Sequence, residues 1–317
     1  MRGGIDLGGT KIQTAVIGEG GEVVAGARRP TPAEGGGEDV AKAIVEAMRE
    51  AAAAAKLETS DLEGIGVGSP GDVDEKTGTV SAAKNLPGWE GSFPLAEKLS
   101  KELGAEVRVG NDVQVAVNAE RRLGAGRPYD SFIGVFWGTG VGGGVILDGR
   151  EWLGRGAAGE IGHMVIKLGG ARCTCGRRGC LEAYAGRAAM EIQARKEHEE
   201  GTKTELFKIM KKKDHARLTS GIWQRALEDG DELAEKLIDR AVKALAAGIA
   251  SAVNLLDVEA VVVGGGLGVR FGEPYVEKIS EQMHKHLFID DNPPAMHVAE
   301  LGDFGGAIGA SLQFDSD

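Results

Sequence analysis

The feature that most constrains the fold is a strand–turn–strand pattern that occurs twice in the sequence. In residues 4–17, short β-branched runs flank a glycine-rich turn at residues 8–10. In residues 132–147, similar runs flank the turn at residues 138–140. Short apolar runs separated by glycine predict antiparallel strands joined by tight turns. The repetition therefore predicts a protein built from two related halves.

The segments between these two units alternate helical and strand patterns. Apolar residues at helical spacing predict helices at about residues 38–56, 94–103 and 231–256, with another beginning near residue 113. Short buried strands are predicted at residues 65–67, 107–109 and 260–263, and residues 182–256 are predicted to be mostly helical. A short helix at residues 307–311 is expected to return to the first domain.

The charge and composition of the chain argue against several classes of protein. The 317 residues include 37 basic and 48 acidic side chains, a net charge of −11, whereas nucleic-acid binding requires clustered basic residues. The longest apolar stretch, residues 244–256, is too short for a membrane span of about 20 residues. The first residues run into a strand pattern rather than a signal peptide. We therefore expect a cytoplasmic protein without nucleic-acid or membrane partners.

The three cysteines of the chain lie close together, at Cys173, Cys175 and Cys180. A secreted disulfide framework spreads an even number of cysteines along the chain, so this pattern favours a metal. Together with His163 they form a Cys₃His set, which is complete for tetrahedral zinc and leaves no coordination position for a catalytic water. The sequence predicts a structural zinc site; three free thiols in a small loop are the alternative.

Three glycine-rich loops follow predicted strands, at residues 6–11, 138–144 and 264–268. Each alone is compatible with a hairpin turn, but such loops also bind phosphates through backbone N–H groups. The chain contains no P-loop motif, and the G-x-G-x-x-G match at residues 138–143 precedes a strand rather than the helix of a dinucleotide site. Together the loops favour a nucleotide cleft, in which Asp6 holds Mg²⁺ through water.

Two sets of motifs resemble known families. The three loops resemble, in order, the first phosphate loop, the second phosphate loop and the adenosine loop of the actin-like sugar-kinase superfamily. The run Gly-Glu-Ile-Gly-His at residues 159–163, with the cysteine-rich run at residues 173–182, strongly resembles the ROK family. The resemblance implies an α/β, two-domain actin-like ATPase (ribonuclease-H-like) fold. We expect one domain at residues 1–113 plus about 302–317, and a larger one at 114–301 that carries the zinc loop.

The same resemblance implies a set of site residues. From the residues alone, Asn111 and Asp112 are compatible with a helix N-cap, but the family places its catalytic base at the matching Asp112. The implied sugar contacts are Gly71, Asn85, Asn111, Asp112, Glu160, His163 and Glu182. The implied nucleotide contacts are Asp6, Gly8, Gly9, Thr10, Lys11, Gly138, Thr139, Gly140, Gly265 and Gly266. The implied zinc ligands are His163, Cys173, Cys175 and Cys180.

The function implied by the resemblance is a hexokinase-type phosphotransferase. ATP with Mg²⁺ donates the phosphoryl group, glucose is favoured as the acceptor, and a homodimer or homotetramer is expected. Another hexose (N-acetylglucosamine, N-acetylmannosamine or fructose) and polyphosphate as donor stay open. A non-catalytic sugar sensor is the second alternative. The repressors of the family carry a DNA-binding segment before the first phosphate loop. Here that loop begins at Asp6, which favours a kinase over a repressor. A zinc hydrolase is disfavoured because the Cys₃His set is complete.

Overall fold

The structure is a computed structural model that describes residues 1–32, 34–83, 86, 88–89 and 91–315. The strands are β1 (Arg2–Leu7), β2 (Lys11–Ile17), β3 (Val23–Pro30), β4 (Ile65–Ser69), β5 (Asp72–Asp74), β6 (Thr79–Ser81), β7 (Ser92–Phe93), β8 (Val107–Asn111), β9 (Phe132–Trp137), β10 (Val141–Leu147), β11 (Arg150–Glu151), β12 (Ala260–Gly264) and β13 (Ala295–Val298). The helices are α1 (Gly36–Ala54), α2 (Leu95–Leu103), α3 (Asp112–Leu123), α4 (Glu182–Ala185), α5 (Arg187–Glu199), α6 (Leu206–Lys212), α7 (Ser220–Glu228), α8 (Glu232–Leu256), α9 (Gly265–Phe271), α10 (Glu273–His284) and α11 (Gly305–Ser311).

The chain divides into two compact units. The first comprises Met1–Arg127 with Glu300–Asp317, and the second comprises Pro128–Ala299. This division differs from the expected boundary at residue 113. Helix α3 packs against α11 and belongs to the first unit, because the C-terminal segment supplies the apolar surface that α3 covers.

The central sheets of the two units have the same topology. In the first, the order is β3-β2-β1-β4-β8, with β1 antiparallel to β2 and parallel to β4. In the second, the order is β11-β10-β9-β12-β13, with β9 antiparallel to β10 and parallel to β12. The prediction of two related halves is confirmed, and in each half a glycine-rich turn joins the central strand to its antiparallel neighbour.

Glycines on two central strands of the first unit allow α11 to approach the sheet closely. A Cβ added at Gly4 would lie 1.9 Å from the carbonyl oxygen of Ala307, and one at Gly66 would lie 1.7 Å from that of Ala310. Real carbon–oxygen contacts require more than 3 Å, so only glycine permits this packing. The helix predicted at residues 307–311 therefore packs on β1 and β4.

The core of the second unit is formed around the long helix α8, together with the buried rings of Trp137 and Trp223. Gly248 of α8 lies against the side chain of Leu181, because an added Cβ would stand 2.0 Å from Leu181 Cδ1. Leu181 follows directly after Cys180, so this contact fixes one end of the cysteine-rich loop to the core.

A buried carboxylate joins two distant segments of the first unit. The Glu120 side chain accepts hydrogen bonds from the backbone N–H groups of Ala125, Glu300 and Leu301, at 2.9, 3.1 and 3.0 Å. Hydrogen bonds to an ionised acceptor are the stronger kind, so this carboxylate anchors the returning C-terminal segment beside α3.

Among the described residues, no helix combines the length and the apolar character needed to cross a membrane.

Candidate functional site

The four predicted zinc ligands lie together in the second unit. The ligand atoms of His163, Cys173, Cys175 and Cys180 are all within 4.8 Å of one another. The Cys175 and Cys180 sulfurs are 3.7 Å apart, and the Cys173 sulfur is 3.8 Å from His163 Nδ1. Tetrahedral coordination at a zinc–sulfur distance of about 2.3 Å places two sulfurs about 3.8 Å apart. The donor set and its spacing therefore fit one zinc ion.

The local backbone explains how so short a loop brings three sulfurs together. Gly176 and Gly179 have φ angles of 90° and 85°, a left-handed conformation that favours glycine. The backbone N–H of Cys173 donates to the Arg177 carbonyl at 2.8 Å, which closes a tight turn around Cys175. The glycines at these two positions are thus required by the turn itself.

The environments of two of the thiols differ strongly. Burial raises the pKa of the Cys173 thiol to about 12. Burial also acts on Cys175, but hydrogen bonds from the Arg177 backbone and from the thiols of Cys173 and Cys180 outweigh it and lower its pKa to about 7. A divalent cation would favour the thiolate form of all three, because metal binding displaces the proton of each ligand thiol.

Two of the predicted sugar contacts adjoin the thiol cluster. His163 turns Nδ1 toward Cys173, while its Nε2 lies 3.9 Å from the Glu160 carboxylate. One ring nitrogen therefore faces the cluster and the other faces a side chain that is 57% exposed. Metal-bound histidines commonly direct the second ring nitrogen to a hydrogen-bond partner, and at 3.9 Å the Glu160 carboxylate lies beyond hydrogen-bonding distance.

The carboxylate of Glu182 connects the thiol cluster with the second glycine loop. Its Oε1 accepts a hydrogen bond from the Thr174 hydroxyl at 3.0 Å, and its Oε2 accepts one from the backbone N–H of Val141 at 3.1 Å. A Cβ added at Gly140 would lie only 2.3 Å from Glu182 Oε2. Glycine at position 140 thus allows the carboxylate to reach the loop, a connection that the sequence does not reveal.

The second and third glycine loops adjoin each other in the second unit. A Cβ added at Gly138 would lie 3.7 Å from the backbone nitrogen of Gly266, and one at Gly265 would lie 2.6 Å from the Trp137 carbonyl oxygen. The third loop begins helix α9 at Gly265, whose φ is 80°. The structure therefore brings the predicted contacts of these two loops together.

A side chain that the sequence analysis does not identify also binds the second loop. Arg187, the first residue of α5, donates from Nη2 to the Thr139 hydroxyl at 2.7 Å and from Nη1 to the Leu218 carbonyl at 2.6 Å. Burial lowers the pKa of this guanidinium, and the nearby Glu191 carboxylate opposes the effect. No sequence motif marks Arg187, because its partners lie in segments that come together only on folding.

The first glycine loop lies in the first unit beside a row of polar side chains. The strand register places Asp6 opposite Gln13, and Gln13 opposite Arg28, so the three share one face of the sheet. Gln13 Oε1 accepts hydrogen bonds from Lys11 Nζ at 2.8 Å and from Arg28 at 3.0 Å. Arg28 also pairs with Asp303 at 2.9 Å. Neither Arg28 nor Asp303 is recognisable from the sequence as part of this site.

The environment of the Asp6 carboxyl group disfavours its ionised form. Burial raises the pKa of Asp6, and the negative charge of Asp303 adds to this increase. The positive charges of Lys11 and Arg28 act in the opposite direction. A Cβ added at Gly306 would lie 2.8 Å from Asp6 Cγ, so glycine at that position leaves room for the carboxylate. In the loop itself, Gly8 and Gly9 precede Thr10, and the Gly8 carbonyl accepts a hydrogen bond from the Thr31 hydroxyl at 2.6 Å.

The Asn111–Asp112 pair lies where β8 ends and α3 begins. Asn111 is the N-cap: its Oδ1 accepts hydrogen bonds from the backbone N–H groups of Val113 and Gln114, at 3.0 and 3.2 Å. Asp112 is the first helical residue, and its carboxylate also accepts from the Val113 N–H, at 2.9 Å. The capping role predicted for the pair thus belongs to Asn111.

The other predicted sugar contacts in the first unit are Gly71 and Asn85. Gly71 has a φ of 99°, and an added Cβ would lie 2.6 Å from the Ser81 carbonyl oxygen, so the position requires glycine. Asn85 lies outside the described residues. Trp89, in the same segment of the chain, is buried and donates from its indole N–H to the Val80 carbonyl at 3.3 Å.

Comparison with known proteins tests the resemblance to the ROK family. The model of the ROK family matches residues 2–316. The chain belongs to the ROK family. A glucokinase of Thermotoga maritima is 36% identical over 287 residues, which cover 87% of this chain and 86% of the relative. An N-acetylmannosamine kinase of Haemophilus influenzae is 32% identical over 317 residues, which cover 97% of this chain and 93% of the relative.

The solved structures of the ROK family agree with the fold. The crystal structure of a ROK family glucokinase from Streptomyces griseus in complex with glucose and AMPPNP is 31% identical, with a TM-score of 0.84. The match covers 98% of this chain and 97% of the other. This ROK protein therefore has the predicted two-domain actin-like ATPase fold, with mixed α/β units.

Proposed function

We propose that this ROK protein is an ATP-dependent glucokinase, which transfers the γ-phosphoryl group of ATP to the 6-hydroxyl of glucose. As a member of the family with sugar-kinase relatives along nearly its whole length, the protein is a hexokinase-type phosphotransferase. The observation that carries the glucose assignment is the similarity to relatives described as glucokinases. The similar identity of an N-acetylmannosamine kinase makes that sugar the second candidate.

Asp112 is the proposed general base. Phosphoryl transfer requires an oriented hydroxyl and an acceptor for its proton, while most of the rate enhancement comes from positioning and electrostatic stabilisation. The Asn111 cap fixes the start of α3, so the carboxylate of Asp112 projects from a rigid junction between strand and helix. The partial positive charge of the helix N-terminus stabilises its ionised form, which is the form that accepts a proton.

The proposed sugar contacts are those that the family resemblance implies. Asn111, Gly71 and Asn85 are the contacts from the first unit. Since Asn111 Oδ1 already caps α3, the contact of Asn111 with a sugar hydroxyl would use its Nδ2 group. In the second unit, Glu160 and His163 Nε2 form the corresponding group.

Glu182 is proposed to bind a sugar hydroxyl while it also holds the cysteine-rich loop and the second glycine loop. Its Oε2 already accepts one hydrogen bond, from the Val141 N–H, and its Oε1 accepts from the Thr174 hydroxyl and, at 3.7 Å, from the Cys173 thiol. An ionised carboxylate has about four acceptor sites, so a sugar hydroxyl can still donate to it. Its position would then be fixed by Thr174 on one side and Val141 on the other.

The residues of the three glycine loops are the proposed nucleotide contacts, and Asp6 is the residue proposed to hold Mg²⁺ through water. Bound Mg²⁺ neutralises charge on the transferred phosphoryl group. The raised pKa of Asp6 reflects a buried carboxylate, and a divalent cation would compensate its charge. Zinc, held by His163 and the three cysteines, would fix the loop that carries Glu182 without taking part in the transfer.

The experiment that tests this function is an ADP-release assay with Mg–ATP and a panel of hexoses. We expect glucose to be preferred, and Asp112→Asn to lose about 10²- to 10⁴-fold or more in kcat while still binding glucose. Asp39→Asn is the control, because it also removes a carboxylate from the first turn of a helix, at an exposed position away from the proposed site. It should retain wild-type activity.

The possible outcomes separate the parts of the proposal. Preference for N-acetylmannosamine or another hexose would retain the chemistry and reject the glucose assignment. Full activity of Asp112→Asn would reject Asp112 as the base. No turnover of any hexose, with ATP or with polyphosphate, would reject the kinase function for this chain.

A further inference from the structure

We propose that Arg187 is a positioning residue for ATP, which orients the Thr139 hydroxyl as a hydrogen-bond donor to the phosphate chain. The inference rests on the proposed function, because it takes the second glycine loop as a phosphate loop. It adds a residue from outside that loop, together with the reason that the loop needs it.

The geometry of the first turn of α5 supports this role. The backbone N–H groups of Arg187 and Ala188 donate to the carbonyls of Gly138 and Thr139, at 3.1 and 3.0 Å. The guanidinium then donates to the Thr139 side chain at 2.7 Å. The loop is thus held by both the backbone and the side chain of one residue. The Gly138 N–H donates to the third loop carbonyl, that of Gly140, at 3.0 Å. The loop carbonyls are therefore occupied, and the Thr139 hydroxyl is a group suited to an anion.

The chemistry of a hydroxyl determines what Thr139 can do. A hydroxyl has one hydrogen to donate and two lone pairs that accept. Because guanidinium nitrogens can only donate, the oxygen of Thr139 must be the acceptor in its bond with Arg187. The hydroxyl hydrogen is therefore directed away from Arg187, toward a second acceptor. Polarisation by a cation strengthens that outgoing bond, and a phosphate oxygen is a suitable acceptor.

The guanidinium is itself held in place from the opposite side. Its Nη1 donates to the Leu218 carbonyl at 2.6 Å, and the Leu218 N–H donates to the Glu191 carboxylate at 3.0 Å. Glu191 lies four residues after Arg187 on α5, and it also pairs with Arg195. The segment at Leu218 is therefore fixed at both its N–H and its carbonyl.

This anchored segment also reaches the third glycine loop. Ser220 follows Leu218 by two residues, and a Cβ added at Gly266 would lie 3.3 Å from the Ser220 hydroxyl. Arg187 thus contacts Thr139 directly, and through Leu218 it holds the segment that borders Gly266. One side chain therefore connects the second glycine loop with the segment that borders the third.

The test combines steady-state kinetics, ATP-analogue binding and thermal denaturation. The variants are Arg187→Gln, Arg187→Lys, Thr139→Val, Thr139→Ser and the double variant Arg187→Gln/Thr139→Val. Arg225→Gln is the control, since Arg225 is an exposed arginine of the same unit that forms only helix-surface ion pairs among the described residues. Binding of the non-hydrolysable analogue AMPPNP is measured by calorimetry, so that affinity is known independently of turnover.

We expect Arg187→Gln and Thr139→Val each to raise the KM for ATP and the Kd for AMPPNP about 10- to 100-fold, with the KM for glucose unchanged. The double variant should be no weaker than either single variant, because both remove the same interaction. Thr139→Ser, which keeps the hydroxyl, should lose much less affinity for AMPPNP than Thr139→Val. Arg187→Lys should recover part of the loss, because an ammonium group reaches one of the two partners but lacks the guanidinium fork.

Several results would overturn the inference. An unchanged KM for ATP in Arg187→Gln would refute the inference. So would a double variant in which the effects of the two single variants on the Kd for AMPPNP multiply. A loss of melting temperature with equal changes in both KM values would indicate a structural role alone. If Arg187→Gln fails to fold, Arg187→Lys and Thr139→Val decide the question. An active wild-type enzyme with normal variants rejects only this inference, whereas a wild-type chain that binds no AMPPNP rejects the proposed function as well.

Discussion

Replacement of Cys180 by serine tests the zinc site most directly. Cys180 is completely buried, and its sulfur lies 3.7 Å from that of Cys175. A serine hydroxyl is shorter, is not ionised at neutral pH and is a poor zinc ligand. We expect the wild-type protein to contain one zinc ion per chain and Cys180→Ser to contain much less.

The stability change can be estimated from the loop that the metal closes. That loop runs from residue 163 to residue 180. By the loop-entropy treatment used for disulfides, opening a loop of about 15 to 20 residues costs about 3 kcal/mol of stability. For a folding unit the size of the second one, 1 kcal/mol corresponds to about 2–4 °C in melting temperature. We therefore expect a decrease of about 6–12 °C, and more if the neighbouring bonds of Glu182 are also lost.

The assays are metal analysis of the purified protein and calorimetric melting with and without a strong chelator. Arg172→Ala is the control, because this exposed side chain lies in the same loop but is not a ligand. Chelation should lower the melting temperature of the wild-type protein and of Arg172→Ala, but leave Cys180→Ser almost unchanged. A wild-type protein that is free of zinc, or that melts at the same temperature as Cys180→Ser, would refute the reasoning.

Three further predictions concern the first unit. Gly66→Ala should destabilise the protein by about 1–3 kcal/mol or more in denaturant titrations, because the new methyl group would overlap the Ala310 carbonyl; Gly305→Ala, which meets no atom closer than 3.3 Å, should have a smaller effect. Asp6→Asn should lose activity yet raise the melting temperature at pH 7. The raised pKa of Asp6 means that its ionised form is disfavoured in the fold, so the gain should shrink as the pH falls toward 3.8; a lower melting temperature at pH 7 would contradict this. Glu120→Gln should cost about 1.5–3 kcal/mol by the same titrations, because an amide cannot accept all three backbone bonds; unchanged stability would show that the carboxylate is dispensable.

Local patterns in the sequence predict much of the fold. The glycine turns, the β-branched runs and the helix periodicity define most elements to within a few residues. The ligand set of the thiol cluster is likewise local, apart from His163. The boundary near residue 113 was less accessible, because the placement of α3 depends on apolar contacts with α11, far along the chain. The choice of Asn111 over Asp112 as the cap also depends on backbone geometry that composition does not determine.

The connections within the candidate site were the least predictable. Arg187 and Thr139 are 48 residues apart, and neither residue type indicates the other. Glu182 was identified from its motif, but its bond to the Val141 N–H depends on the packing of the cysteine-rich loop beside Gly140. Such contacts are properties of the packed structure, because they require two segments to arrive at the same place in fixed orientations.

The return of α11 to the first unit has a consequence for how the protein folds during its synthesis on the ribosome. The second unit is contiguous in sequence and can fold as soon as its last strand, β13, is made. The first unit begins to appear much earlier, but its sheet keeps the glycine-lined groove over Gly4 and Gly66 unfilled until α11 emerges. The half that is synthesised first is therefore completed last. During that interval its uncovered groove is exposed on the nascent chain, and exposed apolar surface of this kind favours aggregation.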